Sequence, residues 1–281
     1  MTKICVTGAS GRAGRHAVAE LLAHDYEVSA TDVVAPSQDI GVRVLLADLT
    51  DYGQAVEVLT GADAVVHLAN IPAPGRFPAA RTFAENATMN YNVFSAATAL
   101  GLNRVVWASS ETTLGLPFDT PPRYAPIDEA HYPYPTSSYA LSKVVSETMA
   151  EQFTSWSGIP FVGLRFSNIV GPVEYATFPQ VWRDPALRKW NLWGYIDERD
   201  SALACRLGLE AEVSGAQSFI IAATDTALDR PSLEVLKEYY PEVPVTREIG
   251  EYQTLLSIDK ATEVLGFRPR YSWRDTASTQ Q

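Results

Sequence analysis

Tyr139 and Lys143 stand four residues apart in "TSSYALSKVVSE", residues 136–147. On a helix this spacing puts two side chains on one face, a turn apart, so the ammonium can approach the phenol. A free tyrosine ionises near ~10, too high for a base at neutral pH. An ammonium about 4 Å away, at an effective dielectric constant of about 20, contributes roughly 4 kcal/mol, or ~3 pKa units. Such a pair is a candidate general base. With 13 tyrosines in 281 residues, the spacing also arises by chance, so its surroundings must decide.

A second constellation lies at the start. "KICVT" runs into "TGASGRAG", with Gly8, Gly11 and Gly14 in a G-x-x-G-x-x-G spacing and Ser10 and Arg12 between them. Glycines allow a tight bend and close approach of backbone to a pyrophosphate, and the following helix presents unpaired N–H groups and a positive dipole end. Asp32 closes the next apolar run. A carboxylate there accepts from the adenosine ribose hydroxyls and repels a 2′-phosphate, which favours NAD over NADP. Arg12 is the residue that could instead meet a 2′-phosphate. Asp48 and Leu49 stand where an adenine contact falls; the alternative for Asp48 is capping the next helix.

These residues need a scaffold. β-branched runs at 3–7, 26–32, 42–48, 62–69, 104–110 and 160–167 alternate with helical stretches at 11–25, 51–61, 80–101 and 137–157. That rhythm predicts an α/β fold, a Rossmann-type doubly wound parallel sheet covered on both faces. Residues 1–170 are expected to form the cofactor-binding domain. Residues 171–281 are expected to form a small substrate-covering portion interleaved with it, a strand near 217–222 returning to the sheet. "TASTQQ", from Thr276, reads as a frayed tail.

A formal charge of −11 argues against nucleic acid or an anionic membrane as partner. No apolar run reaches spanning length, and "KICVTG" reads as a strand and turn, not a leader. Two distant cysteines, Cys5 and Cys205, indicate a reduced, cytoplasmic setting. The four histidines lack ligand spacing, so no metal is expected. There is no G-x-S-x-G nucleophile elbow.

Seven segments in order carry a resemblance: "TGASGRAG", Asp32, "ADL" at 47–49, "HLA" at 67–69, "SSETTLG" at 109–115, "YALSK" at 139–143 and "LRFSNIVGP" at 164–172. Together they resemble an extended short-chain dehydrogenase/reductase of the NAD-dependent epimerase/dehydratase type. The resemblance implies that Ser110, with Ser109 as the other candidate, joins Tyr139 and Lys143 around the reacting carbon. Leu68 and Ala69 would line the cofactor groove, Asn168 would contact substrate, and residues 86–92 would support loops around the site. Lys143 would also hold the nicotinamide ribose. Many relatives form homodimers through two long helices, here 80–100 and 137–157, although Met89, Phe94 and Phe153 could equally be core.

Sugar-nucleotide dehydratases carry two acidic groups after the serine or threonine; here stand Glu111 and Thr112, so Glu111 is a lone acid or a loop residue. The compact, Trp-rich region after 171 is similar to that of uronate dehydrogenases. The expectation is an NAD-dependent oxidoreductase acting on a sugar derivative, with nucleotide-sugar epimerase and non-sugar ketone reductase as alternatives. Arg183, Arg188, Arg199 and Arg206 are candidates for a substrate anion, and Trp182, Trp190 and Trp193 for a sugar ring.

Overall fold

The protein is described from a computed structural model covering residues 1–277. Of the expected tail, Thr276 and Ala277 end a short helix, and residues 278–281 lie outside the described residues.

Strands β1 (Lys3–Thr7), β2 (Glu27–Asp32), β3 (Val44–Leu46), β4 (Ala64–His67), β5 (Arg104–Ser110) and β6 (Phe161–Phe166) are followed by β7 (Ile169–Val170), β8 (Ile196–Asp197) and β9 (Ala216–Ile221). Seven form one parallel sheet in the order β3-β2-β1-β4-β5-β6-β9. The order reverses between β1 and β4, which opens a crevice at the strands' C-terminal ends. β7 and β8 pair separately.

Alternation along each strand feeds two cores. Ile4 and Val6 of β1 face α1 (Arg12–Leu22), whereas Cys5 faces the side covered by α2 (Tyr52–Leu59), α3 (Ala79–Leu100) and α4 (Ser138–Ser157). On that second side Phe94 meets Trp107, Phe153 and Phe161 edge to face and Phe153 stacks on Phe161, with Met89 packed against the cluster. Phe94 and Phe153 are thus intrachain core. Both cysteine thiols are buried and unbonded.

After β7 come α5 (Pro172–Tyr175), α6 (Phe178–Arg183), α7 (Glu198–Glu210), α8 (Ser232–Tyr239), α9 (Asp259–Leu265) and α10 (Trp273–Ala277). α7 and α9 join α1 over the first face, and β9 extends the sheet beside β6, because that face needs their apolar side chains to be covered. Conversely Leu114, Leu116, Phe118 and Ile127 pack with Trp193, Leu236 and Leu256 in the covering portion. Trp193 is fully buried and Trp182 packs on Trp273, so both belong to cores.

Candidate active site

The glycine turn is built by steric necessity. Gly8 has φ +68°, and a Cβ on it would lie 2.6 Å from the Ala69 backbone nitrogen; one on Gly14 would lie 2.0 Å from the Gly8 carbonyl oxygen. Leu68 and Ala69 therefore lie directly against the turn. α1 begins at Gly11 with no side chain capping its first amides. The Asp32 carboxylate accepts from the Ser10 N–H at 2.9 Å and the Val33 N–H at 2.7 Å, which fixes it beside the turn. Ser10 donates its hydroxyl to the Val34 carbonyl. Arg12 reaches away from Asp32, donating to the Ile169 carbonyl and pairing with Glu174. A hydrogen-lined cradle, an uncapped helix start and a fixed carboxylate fit a dinucleotide without a 2′-phosphate.

Asp48 does not cap α2. It accepts from the Thr50 N–H and hydroxyl, while Asp51 caps the helix through the Gln54 N–H at 2.9 Å. The Leu49 side chain is buried in the core, which leaves only its backbone for any contact with a ligand. The asparagines of α3 clamp neighbouring loops: Asn86 exchanges hydrogen bonds with both backbone groups of Ile71, and Asn92 donates to the Leu49 and Thr50 carbonyls.

β5 delivers Ser109 and Ser110 to opposite sides of its plane. Ser110 Oγ accepts from the Thr112 N–H and hydroxyl, and its own proton favours the ionised form of the Tyr139 phenol. Ser109 instead donates to Glu147 at 2.6 Å and is buried, which removes it from the substrate contacts anticipated for it. Ser137 caps α4 through the Ala140 N–H, so Tyr139 falls in its first turn. Tyr139 and Lys143 are both buried, and Lys143 Nζ donates to the Ala108 carbonyl at 2.7 Å, 5.7 Å from the phenol ring centroid.

The expected acidified phenol is not what the free protein has. Burial pushes Tyr139 up to about 12, with Glu111 adding to the rise, and pulls Lys143 down to about 7. Desolvation disfavours both charged forms and is the largest cause of each shift. His67, bonded through Nδ1 to Thr7 Oγ1 and fully buried, is pulled to about 3 by desolvation and by Lys143, which makes it a neutral packing group at pH 7.

Glu111 opens a 3-10 turn, Glu111–Leu114, and is buried, not solvent-facing. It accepts from Ser167 Oγ at 2.6 Å and Asn191 Nδ2 at 3.4 Å, and burial raises it to about 7. Next to it Arg188 donates to Asn168 Oδ1 at 3.3 Å and the Gly194 carbonyl at 2.7 Å; its Nε is buried without a partner. Leu192 and Trp193 hold φ of 52° and 58°, left-handed values that side chains disfavour. That strained turn brings Asn191 to Glu111. Of the other arginines, Arg199 pairs with Asp197, Arg206 with Glu20 and Glu210, and Arg183 is exposed. Trp190 flanks the Arg188 guanidinium.

Sequence reasoning missed Glu147, Arg165, Ser167 and Asn191. Glu147 had a local signal, since it continues the Tyr139/Lys143 stripe by one more turn, and Arg165 and Ser167 lie within the 164–172 segment; Asn191 had none.

Residues 4–189 match the sequence profile of the NAD dependent epimerase/dehydratase family. The chain belongs to this family. It is an NAD-dependent enzyme of the extended short-chain dehydrogenase/reductase type. Similar family members include an NAD-dependent glucose-6-phosphate dehydrogenase of Haloferax volcanii, 27% identical over 64% of this chain and 74% of its own. A UDP-glucose 4-epimerase of Lacticaseibacillus casei is 26% identical over 95% of this chain and 92% of its own. A short-chain dehydrogenase/reductase superfamily protein of Agrobacterium tumefaciens, crystallised with bound NAD, shares the fold with TM-score 0.76 at 22% identity, covering 99% of this chain and 96% of that one. Among the described residues no group of three or more His, Cys, Asp or Glu gathers as metal donors, and no helix is long and apolar enough to cross a membrane.

Proposed function

We propose that this enzyme is a dehydrogenase for a free sugar or sugar acid bearing an anionic group, with Tyr139 as the general base. NAD supplies a hydride acceptor. Gly8, Ser10, Gly11, Gly14 and Asp32 hold its adenosine and pyrophosphate end, with Leu68, Ala69 and the Asp48–Leu49 backbone along the groove. Arg12, turned toward Glu174, borders the pyrophosphate side. Lys143 bonds the nicotinamide ribose. Tyr139 accepts the proton of the substrate hydroxyl as hydride leaves the carbon, and Ser110 hydrogen-bonds the same oxygen. The positive charge that NAD would supply, together with a protonated Lys143, would oppose the desolvation that raises the phenol.

The observation that carries the substrate reading is Arg188. Its half-buried guanidinium bonds Asn168, and among the described residues no carboxylate lies within ion-pair distance of it, Glu111 acting on it only through space. A phosphate or carboxylate on the substrate satisfies that charge, while Glu111, near 7, exchanges hydrogen bonds with sugar hydroxyls. The Haloferax relative, named for glucose 6-phosphate, supports a free anionic sugar. The Lacticaseibacillus relative supports the alternative, a nucleotide-sugar epimerase.

The test is NADH formation across sugar phosphates, uronic acids, neutral aldoses and nucleotide sugars. NADH is expected to accumulate from anionic free sugars, and Arg188→Met is expected to raise KM for them about 10- to 100-fold, the worth of a charge-assisted hydrogen bond. Interconversion of nucleotide sugars without net NADH selects the epimerase. A setting in the cytoplasm and a homodimer through α3 and α4, where Tyr91, Leu141 and Trp156 are exposed, complete the proposal.

A further inference from the structure

Behind the reacting face, α4 carries a buried ion pair that serves no surface. Glu147 lies one turn beyond Lys143 and accepts from Arg165 Nε and Nη2, both at 2.8 Å, and from Ser109 at 2.6 Å. Arg165 is the in-register neighbour of Ser109 across β5 and β6. β5 is therefore tied to α4 twice in succession, by Lys143 on the Ala108 carbonyl and by Glu147 on Ser109. The next residue is Ser110. Both members of the pair are nearly sequestered, with side chains 6% and 12% exposed. They border a cavity of about 190 Å³ whose wall also includes Glu129, Glu151 and Lys260.

Such pairs rarely stabilise a fold more than well-packed apolar residues would. A buried pair retained one helical turn from a functional lysine points to another role. We infer that Glu147, anchored by Arg165, is a positioning residue that holds Lys143 and the Ser109–Ser110 strand end in reacting register and supplies the lysine's counter-charge. The inference rests on the proposed roles of Tyr139 and Lys143.

The electrostatics agree. The groups facing Lys143 are Tyr139 and Glu147 on its own helix, the Ala108 carbonyl on β5 and His67 on β4. Burial favours neutral lysine, and Glu147 is the carboxylate that opposes it. His67 is neutral at working pH and gives no help. Without Glu147 the ammonium would lose its proton at lower pH, and the phenolate would lose its partner.

The experiment needs no substrate. Tyr139 is titrated in the NAD-loaded full-length protein by phenolate absorbance, as the difference between each variant and the same variant carrying Tyr139→Phe. The double variant Glu147→Leu/Arg165→Met removes both charges without stranding either, so folding is expected to survive. Its phenolate titration is expected to move up by about one pH unit, the low end for loss of a neighbouring charge. Arg165→Lys, which keeps both charges but loses the second bond to Glu147, gives a second reading should the double variant fail to fold, with a smaller shift in the same direction. Glu147→Asp, which keeps the charge, is expected to restore at least half of it. An unshifted titration in a folded variant overturns the inference. Absence of any NAD-dependent Tyr139 titration in the wild type instead overturns the catalytic reading beneath it.

Discussion

Replacing Tyr139 by phenylalanine is expected to lower kcat about 10²- to 10⁴-fold, the range for losing a positioned general base. Structure and cofactor binding should stay intact. The phenol's packing is a ring face, which phenylalanine reproduces, and Ser110 keeps its bonds to Thr112. Stopped turnover with unchanged NAD affinity and unchanged Tm separates a chemical role from a structural one. Unchanged turnover would end the assignment. Neither His67, bonded to Thr7 behind the site, nor Ser109, committed to Glu147, is placed to take over the proton.

Lys143→Met is expected to stabilise the free protein while abolishing activity. Burial lowers the lysine to about 7 from its ordinary value of 10.5. The unfolded chain therefore binds more protons than the folded one between those limits, and stability rises with pH across that window. At pH 7 the depressed pKa amounts to a destabilisation of about 4 kcal/mol. Against this, methionine leaves the Ala108 carbonyl without its donor, a loss of about 1–3 kcal/mol. The difference favours the variant by roughly 1–3 kcal/mol, a rise of several degrees in Tm. Thermal unfolding at pH 7 and pH 9.5 checks the sign: the advantage of the variant should shrink at the higher pH. An advantage that is constant or growing would mean that Lys143 is not buried as a strained cation. Instability retained in this way at a reacting group is a common exchange of stability for function.

What the sequence disclosed and what it withheld divide along physical lines. The glycine turn was legible because sterics act locally: only hydrogen fits where Gly14 meets the Gly8 carbonyl. The Tyr139/Lys143 spacing was legible because helical periodicity is local too, and the doubly wound parallel sheet followed from the strand–helix rhythm and crossover handedness. Burial is not local. The four-residue spacing promised an acidic phenol, but desolvation, set by how α4 packs on β5, reverses the sign in the free protein. Glu111 could be read only as a lone acid or loop residue, since its partners Ser167 and Asn191 come from distant segments. Ser109 was misread for the same reason: its partner's second anchor, Arg165, lies on another strand. Arg188 could not be chosen among four arginines until Arg199 and Arg206 were seen paired with carboxylates. The turn that presents Asn191 holds Leu192 and Trp193 in left-handed conformations that neither residue type announces.

The most direct measurement is the ionisation of one phenol with and without cofactor. Phenolate absorbance, wild type minus Tyr139→Phe, is recorded against pH in the free protein and at saturating NAD. The account predicts no Tyr139 phenolate below about pH 10 in the free protein, where desolvation governs. With NAD bound it predicts a titration several units lower, within reach of neutral pH. The same titration in both states, or none near neutrality with NAD present, would contradict it.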